Sequence, residues 1–501
     1  MSARNGLAIL LVSTFVVGTA LFLGSANEIL LWVRDQVVQR FDWFFTGTAS
    51  VCLGLVAWLG LDPRFNARLG GDDERPEFSN LAWFAMLFSA GLASGILYWA
   101  TGEPLTHFQG NPHFEMAGVE ALTPHAAQLA VTLTIFHWGL HGWAFYVIVG
   151  LGVAWFAYRH DLPLALSTAL HPVLGNWTQR WPGQLVDLGG VLATVFGVAT
   201  SLGLAVSGMN AALAELFAIP VNITSQLAIV GLVAALGTVS AISGVSNGIR
   251  RLSELNVWVS GALLVAIFLI GPSLWLLQFV ATSLLDYVIR VIPMGLWTAS
   301  DEEGRAWQGA WTVFYWGWWL AWAPFVGLFI ARISRGRTVR QFVTGVMLVP
   351  ASMVVLWMSV LGGAALHGEL HGAPSLIETI TRDYAVGTVA TIQRLGVLVT
   401  PLVAIVAFLL FTWLITSVDS ATLVICGLLE GPEQEVSALQ KGLWGILLGL
   451  VTGLLLYIGG VGALQAASII AGLPVGVAVI AIGVGLVRTI RREVSVSAAA
   501  G

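Results

Sequence analysis

Apolar residues fall in long, nearly uninterrupted blocks near 6–24, 42–62, 78–103, 123–157, 184–217, 222–243, 254–280, 306–331, 339–366, 395–427, 442–461 and 465–488. A helix crosses a bilayer with about 20 predominantly apolar residues, so the pattern predicts twelve membrane spans. Several blocks exceed one bilayer thickness, which predicts tilt or an interfacial turn. The first block follows Arg4 and is longer than the apolar core of about 7–15 residues in a signal peptide, so it is read as a retained span. With the N-terminus inside, the connections on the outer side carry only Arg34, Arg40, Arg290, Arg305, Arg382 and Arg394, and the other Arg and Lys residues lie inside. That bias predicts cytoplasmic termini. Between spans seven and eight, Leu284, Leu285, Val288, Val291 and Ile292 recur at helical spacing, which predicts a helix along the outer face.

Composition narrows the class further. Of 501 residues, 57% are hydrophobic and 10% charged, against about 25% charged in a soluble domain. The net charge of −5 is small, and neither a basic tail nor a phosphate-binding glycine loop points to nucleic acid or nucleotide. Cys52 and Cys426 sit in apolar runs, as buried thiols do.

Polar and irregular features inside a span are costly, so their positions carry information. Ser89–Gly95 in span three is rich in small residues, suited to close helix packing or to a local break. Trp316, Trp318, Trp319 and Trp322 fall at the middle of span eight, where an interfacial belt does not explain them. Pro324 follows, and is expected to break the helix there. Trp138, Trp143 and Tyr146 fall within an arc of about 140° on one side of span four. Facing rings of this kind box a cation that has no proton to donate. Thr194, Ser201, Thr416, Ser417, Asp419 and Ser420 place oxygens at depth, as ligands for a hard cation or bonded back to their own helices. Glu103 and Asp419 could carry a proton or brace the fold.

The motifs SAGLASGILYWATGEPL at 89–105, FHWGLHGWAFY at 136–146, VDLGGVLATVFGVATSLGL at 186–204, SGVSNGIRRLSELN at 243–256, FYWGWWLAWAPFVGLFIARISRGRTVRQFV at 314–343 and TSVDSA at 416–421 resemble the betaine/choline/carnitine transporter family. The resemblance implies an all-α integral membrane protein with the LeuT-like fold. Two N-terminal helices would occupy 1–76, a first inverted five-helix repeat 77–280, an outer amphipathic helix 281–305, a second repeat 306–488 and a short cytoplasmic tail 489–501. It also implies a secondary transporter in the bacterial inner membrane, a homotrimer, that imports a quaternary-ammonium or zwitterionic compatible solute with Na+ as coupling ion and no other cofactor.

Carried over by position, the aromatic box would be Trp138, Trp143, Tyr146, Trp318, Trp319 and Trp322, with Ala93 and Ser94 beside the solute. One sodium site would comprise Ala90, Leu92, Trp413, Thr416 and Ser417. A second would use Thr194 and Phe325, but Val198 stands where the resemblance expects another threonine. The family's Gly-x-Gly-x-Gly loop reads Gly91-Leu92-Ala93-Ser94-Gly95, and Gly95 differs from the Asp that ends it in proton-coupled choline carriers. A sodium-independent exchanger or proton-coupled carrier of the same solutes is the alternative. The His137/His141 and His367/His371 pairs raise a remoter one, a membrane metal enzyme. The pairs lie at different depths, and no transition-metal site is expected from them.

Overall fold

The computed structural model describes residues 2–91, 93–244, 246–430 and 436–500, with the backbone alone at 88–91, 93–94, 246–250 and 494–500. The described residues are helical and contain no β-strand, only an isolated bridge between Arg68 and Thr338. In chain order the helices are α1 (Ala3–Leu21), α2 (Leu23–Leu61), α3 (Asn80–Gly91), α4 (Ala93–Phe108), α5 (Pro112–Ala117), α6 (Pro124–Trp138), α7 (Leu140–Arg159), α8 (His171–Leu174), α9 (Trp181–Phe217) and α10 (Ile223–Ser243). There follow α11 (Ser246–Ile270), α12 (Ser273–Leu296), α13 (Glu302–Gln308), α14 (Phe314–Ile333), α15 (Val339–Trp357), α16 (Gly363–Leu370), α17 (Ile377–Arg382), α18 (Gly387–Leu395), α19 (Val399–Glu430) and α20 (Ala438–Ala500).

Among the described residues, eleven helical stretches are long and apolar enough to cross a membrane. Their starts follow local chemistry. Thr123 precedes Pro124 and its side chain accepts from Ala126 N–H. Asn222 caps α10 through Ser225 N–H, and Thr338 forms a reciprocal capping box with Gln341. Each supplies a partner that the first turn of a helix lacks.

The structure corrects several expected boundaries. The block at 123–157 is two helices, because Gly139 adopts φ −95°, ψ −138° between α6 and α7. A Cβ at this position would lie 2.6 Å from the Ile135 carbonyl oxygen, and Leu140 N–H donates to Tyr287 Oη at 2.8 Å instead of to its own helix. At Pro324, where a break is expected, α14 runs on without one. Proline's fixed φ is close to that of an α-helix, and neighbouring helices in a membrane bundle compensate the lost N–H bond. Here α9 packs against the ring, so that a Cβ on Gly190 would meet Pro324 Cβ at 3.4 Å. The irregularity in this region lies earlier, in a π-helical turn over Gly309–Val313.

The seventh block ends at Ile270 rather than 280, because Gly271 and Pro272 stop α11 and start α12. The polar stretch after the first block is not a loop, since α2 is one helix of 39 residues. It packs near its middle on the π-helical turn, where Val38 meets Gly309, and at its C-terminal end on α15, where Gly60 meets Val343. The last two blocks form a single assigned helix that is interrupted at Gly460 by φ 57° and ψ −138°, a conformation that suits a residue without Cβ.

Helix α14 sits at the centre, packed against α7, α9 and α20, and most of its residues are buried. Small residues allow the approach. A Cβ on Gly472 of α20 would lie 2.9 Å from Gly317 Cα. The periphery is apolar and exposed, as in α12, where Leu274, Leu277, Leu285 and Val288 face outward. At one end Arg337 is buried, with its guanidinium 3.9 Å over the Trp83 ring. It donates to Asn80 Oδ1 and Phe78 O, each at 2.8 Å, and so ties the turn after α14 to the start of α3.

Candidate functional site

Three helices meet at Trp319. Its ring centroid lies 5.0 Å from Tyr146, 5.8 Å from Trp143 and 6.2 Å from Trp138. Trp138 in turn stands edge-on to Trp318 at 5.6 Å and 86°. The indole of Trp319 lies on the α7 backbone, where a Cβ at Gly142 would come within 2.8 Å of Trp319 Cε3. At the start of α4, a Cβ on Gly95 would come within 2.7 Å of Trp138 and 2.8 Å of Trp318. Five of the six expected box residues are therefore one aromatic cluster, buried to between 0% and 6% exposure. The sixth, Trp322, is half-buried. Its described ring neighbour is Phe325 at 5.3 Å, and it lies against Gly197 of α9.

Trp138, Trp143 and Tyr146 do not lie on one helical arc as expected, because Gly139 separates the first from the other two. The break brings them together by another route. It frees the His137 carbonyl, which accepts from Trp319 Nε1–H at 3.0 Å. Trp318 Nε1–H reaches the Gly197 carbonyl at 3.4 Å.

Behind the rings lies a polar cluster. Glu103 Oε2 accepts from Trp138 Nε1–H at 3.1 Å and from the Tyr315 hydroxyl. Its Oε1 is 2.7 Å from His137 Nδ1, and His137 Nε2 is 3.1 Å from Thr312 Oγ1. Four groups on α4, α6, the π-helical turn and α14 thus position one box tryptophan.

The BCCT, betaine/carnitine/choline family transporter profile matches residues 5–495. The chain belongs to this betaine/carnitine/choline transporter family. It is 38% identical over 491 residues to glycine betaine transporter 1 of Vibrio parahaemolyticus, covering 94% of this chain and 89% of that protein. Glycine betaine transporter OpuD of Bacillus subtilis is 36% identical over 463 residues, covering 91% and 88%. The osmo-dependent choline transporter BetT2 of Acinetobacter baylyi is 35% identical over 489 residues, covering 97% and 70%. As a member of this transporter family the protein is a multi-pass membrane transporter and not an enzyme.

The oxygens expected to hold sodium in this family member are only partly described. Leu92 lies outside the described residues, as do the side chains of Ala90, Ala93 and Ser94. On α19, Thr416 Oγ1 donates to the carbonyls of Thr412 at 3.0 Å and Trp413 at 3.1 Å, and Ser417 is half-buried nearby. Thr194 Oγ1 donates to Gly190 O at 2.8 Å. Gly190, Thr194 and Gly197 share one face of α9 by their spacing, the face that meets Pro324 and Trp322. Val198 is buried and supplies no oxygen.

Sequence reasoning missed Tyr315 and His107. Tyr315 was hidden inside an aromatic run whose tryptophans drew attention. The His137/His141 pair does not converge, since His141 packs on Phe136 at 4.9 Å and Trp316 at 5.5 Å. His107 approaches Glu103 and His137 instead. The Glu103/His107 spacing of one helical turn was the available signal.

Proposed function

We propose that this transporter imports a methylated ammonium solute, of the glycine betaine or choline class, by sodium-coupled alternating access. The observation that carries this is the burial of Trp319 among Trp138, Trp143 and Tyr146 at the middle of the bundle. Rings in that arrangement attract a quaternary ammonium, which needs no hydrogen-bond acceptor, and the attraction reaches about 2 kcal/mol when desolvated. Trp322, Ala93 and Ser94 complete the solute site in this reading. The names of the relatives, glycine betaine and choline transporters, support the solute class.

The architecture that goes with this function is twelve spans in the LeuT-like arrangement. It is obtained if α3 and α4 cross as one broken span, α20 crosses twice about Gly460, and α12 lies along the outer face. Repeats at 77–280 and 306–488, cytoplasmic termini, an inner-membrane location and a homotrimer complete it. One sodium ion binds the carbonyls near Ala90, Leu92 and Trp413 with the hydroxyls of Thr416 and Ser417. A second position at Thr194 and Phe325 is weak, because Val198 offers no ligand.

Thr194 and Thr416 both bond back to their own helices. That favours keeping a second reading, a sodium-independent exchanger or a proton-coupled carrier. Purified protein in proteoliposomes decides between them. The proposal expects uptake of labelled glycine betaine or choline driven by an inward sodium gradient. Uptake unaffected by sodium would overturn the coupling, and no uptake of any methylated ammonium solute would overturn the solute class.

A further inference from the structure

Outside the ring cluster, Glu103, His107 and His137 place one ligand atom each within 4.8 Å of one another. All three side chains are fully buried. Glu103 and His107 stand one turn apart on α4, and His137 faces them from the end of α6. Glu103 Oε1 is 2.7 Å from His137 Nδ1 and 3.4 Å from His107 Nε2. His107 is the anomalous member. Among the described residues neither of its ring nitrogens has a hydrogen-bond partner, and its contact with Glu103 is close without being aligned as a hydrogen bond. Buried polar atoms are rarely left so.

We propose that Glu103, His107 and His137 form a binding site for a transition-metal dication of the zinc type. Two imidazoles and one carboxylate are a zinc donor set. Bonds of ~2.0–2.1 Å in a tetrahedron separate neighbouring ligand atoms by about 3.3 Å. The Glu103–His107 spacing meets that value, and the Glu103–His137 spacing must open by about 0.6 Å to reach it. The supporting contacts are also those of a metal centre. The second nitrogen of His137 is 3.1 Å from Thr312 Oγ1, and the second oxygen of Glu103 is held by Trp138 and Tyr315. Such partners orient ligands and fix the tautomer. A sodium ion prefers hard oxygen donors, so this site is chemically distinct from the proposed coupling sites.

The test uses the full-length chain, purified without a polyhistidine tag, stripped with chelator and titrated with Co2+. The expected result is one saturable Co2+ per chain with ligand-field bands in the visible range, displaced by Zn2+. His107→Phe should weaken binding at least tenfold, while His113→Phe, which packs nearby on Trp297 and Trp307, should leave it unchanged. His107→Cys should restore binding and add a thiolate-to-cobalt charge-transfer band, which arises only if position 107 is a ligand. Absence of saturable Co2+ in the unmodified protein, or a His107→Cys protein that binds Co2+ without that band, would overturn the proposal.

Discussion

At the scale of single residues, the convergence of the aromatic rings was legible and most of the polar cluster behind them was not. A tryptophan at the middle of a span stands out because an interface is its usual place, so Trp318 and Trp319 could be singled out from spacing alone. Glu103 stood out as a carboxylate within a span, but Tyr315 and His107 did not, because an i,i+4 carboxylate–histidine pair and a tyrosine in an aromatic run are ordinary features of a packed helix. Replacing Trp319 by Leu keeps bulk and removes the ring quadrupole. Apparent solute affinity should fall about tenfold or more, equivalent to a loss of ~1.4 kcal/mol, with insertion intact. Solute titration of proteoliposome uptake measures it, and unchanged affinity for every transported solute would remove Trp319 from the site. Tyr315→Phe deletes a donor to the buried Glu103 carboxylate. A loss of about 1–3 kcal/mol is expected for a buried acceptor deprived of its partner. It should lower the melting temperature of detergent-purified protein and weaken solute binding through Trp138.

Helix content followed directly from the apolar blocks, whereas helix breaks did not. Proline is the usual marker of a break, yet Pro324 sits within a continuous helix because α9 packs against its ring. The break near the box is at Gly139, in a chain with 57 glycines, where no local pattern distinguishes it. A tertiary neighbour, Tyr287, together with the Ile135 carbonyl one turn back, makes that glycine special. Gly139→Ala should therefore damage the site more than an alanine elsewhere in α6 or α7, abolishing uptake and reducing expression. Tyr287→Phe should be milder. It leaves Leu140 N–H without its acceptor, at a cost of about 1–3 kcal/mol in the protein interior, read as a lower melting temperature with uptake retained. Wild-type uptake by Gly139→Ala would show that the break is not needed to bring Trp138 to Trp143.

Across the whole molecule, the membrane class was fixed by hydropathy, but the span boundaries needed the structure. Period and composition cannot show where a long apolar run bends, which is why 123–157 divided and 254–280 ended early. Nor could they reveal that the charged stretch after α1 continues as helix. Coupling belongs to this scale, since it requires two ends of a protein to respond to one ion. With Val198 in place of a hydroxyl ligand, we expect one sodium per solute. The reversal potential of solute flux in vesicles measures that ratio, and a two-sodium value in the unmodified protein would refute it. Val198→Thr should raise the sodium cooperativity of uptake, and the Thr416→Ala, Ser417→Ala double variant should lose sodium dependence.

The uninterrupted course of α2 has a practical consequence. Thirty-nine residues at 1.5 Å each make a rod of about 58 Å, nearly twice the ~30 Å of hydrocarbon in a bilayer. Its middle touches the π-helical turn at Val38 and its C-terminal end touches α15 at Gly60, so one continuous object runs from the level of that turn to the packing surface of α15. A pair of spin labels at Arg34 and Trp58 on this helix would be separated by about 36 Å of rise. That separation is a built-in ruler. Changes measured from either label to a third on α4 could then be assigned to the moving helix, and movement near each label could be followed separately in one sample.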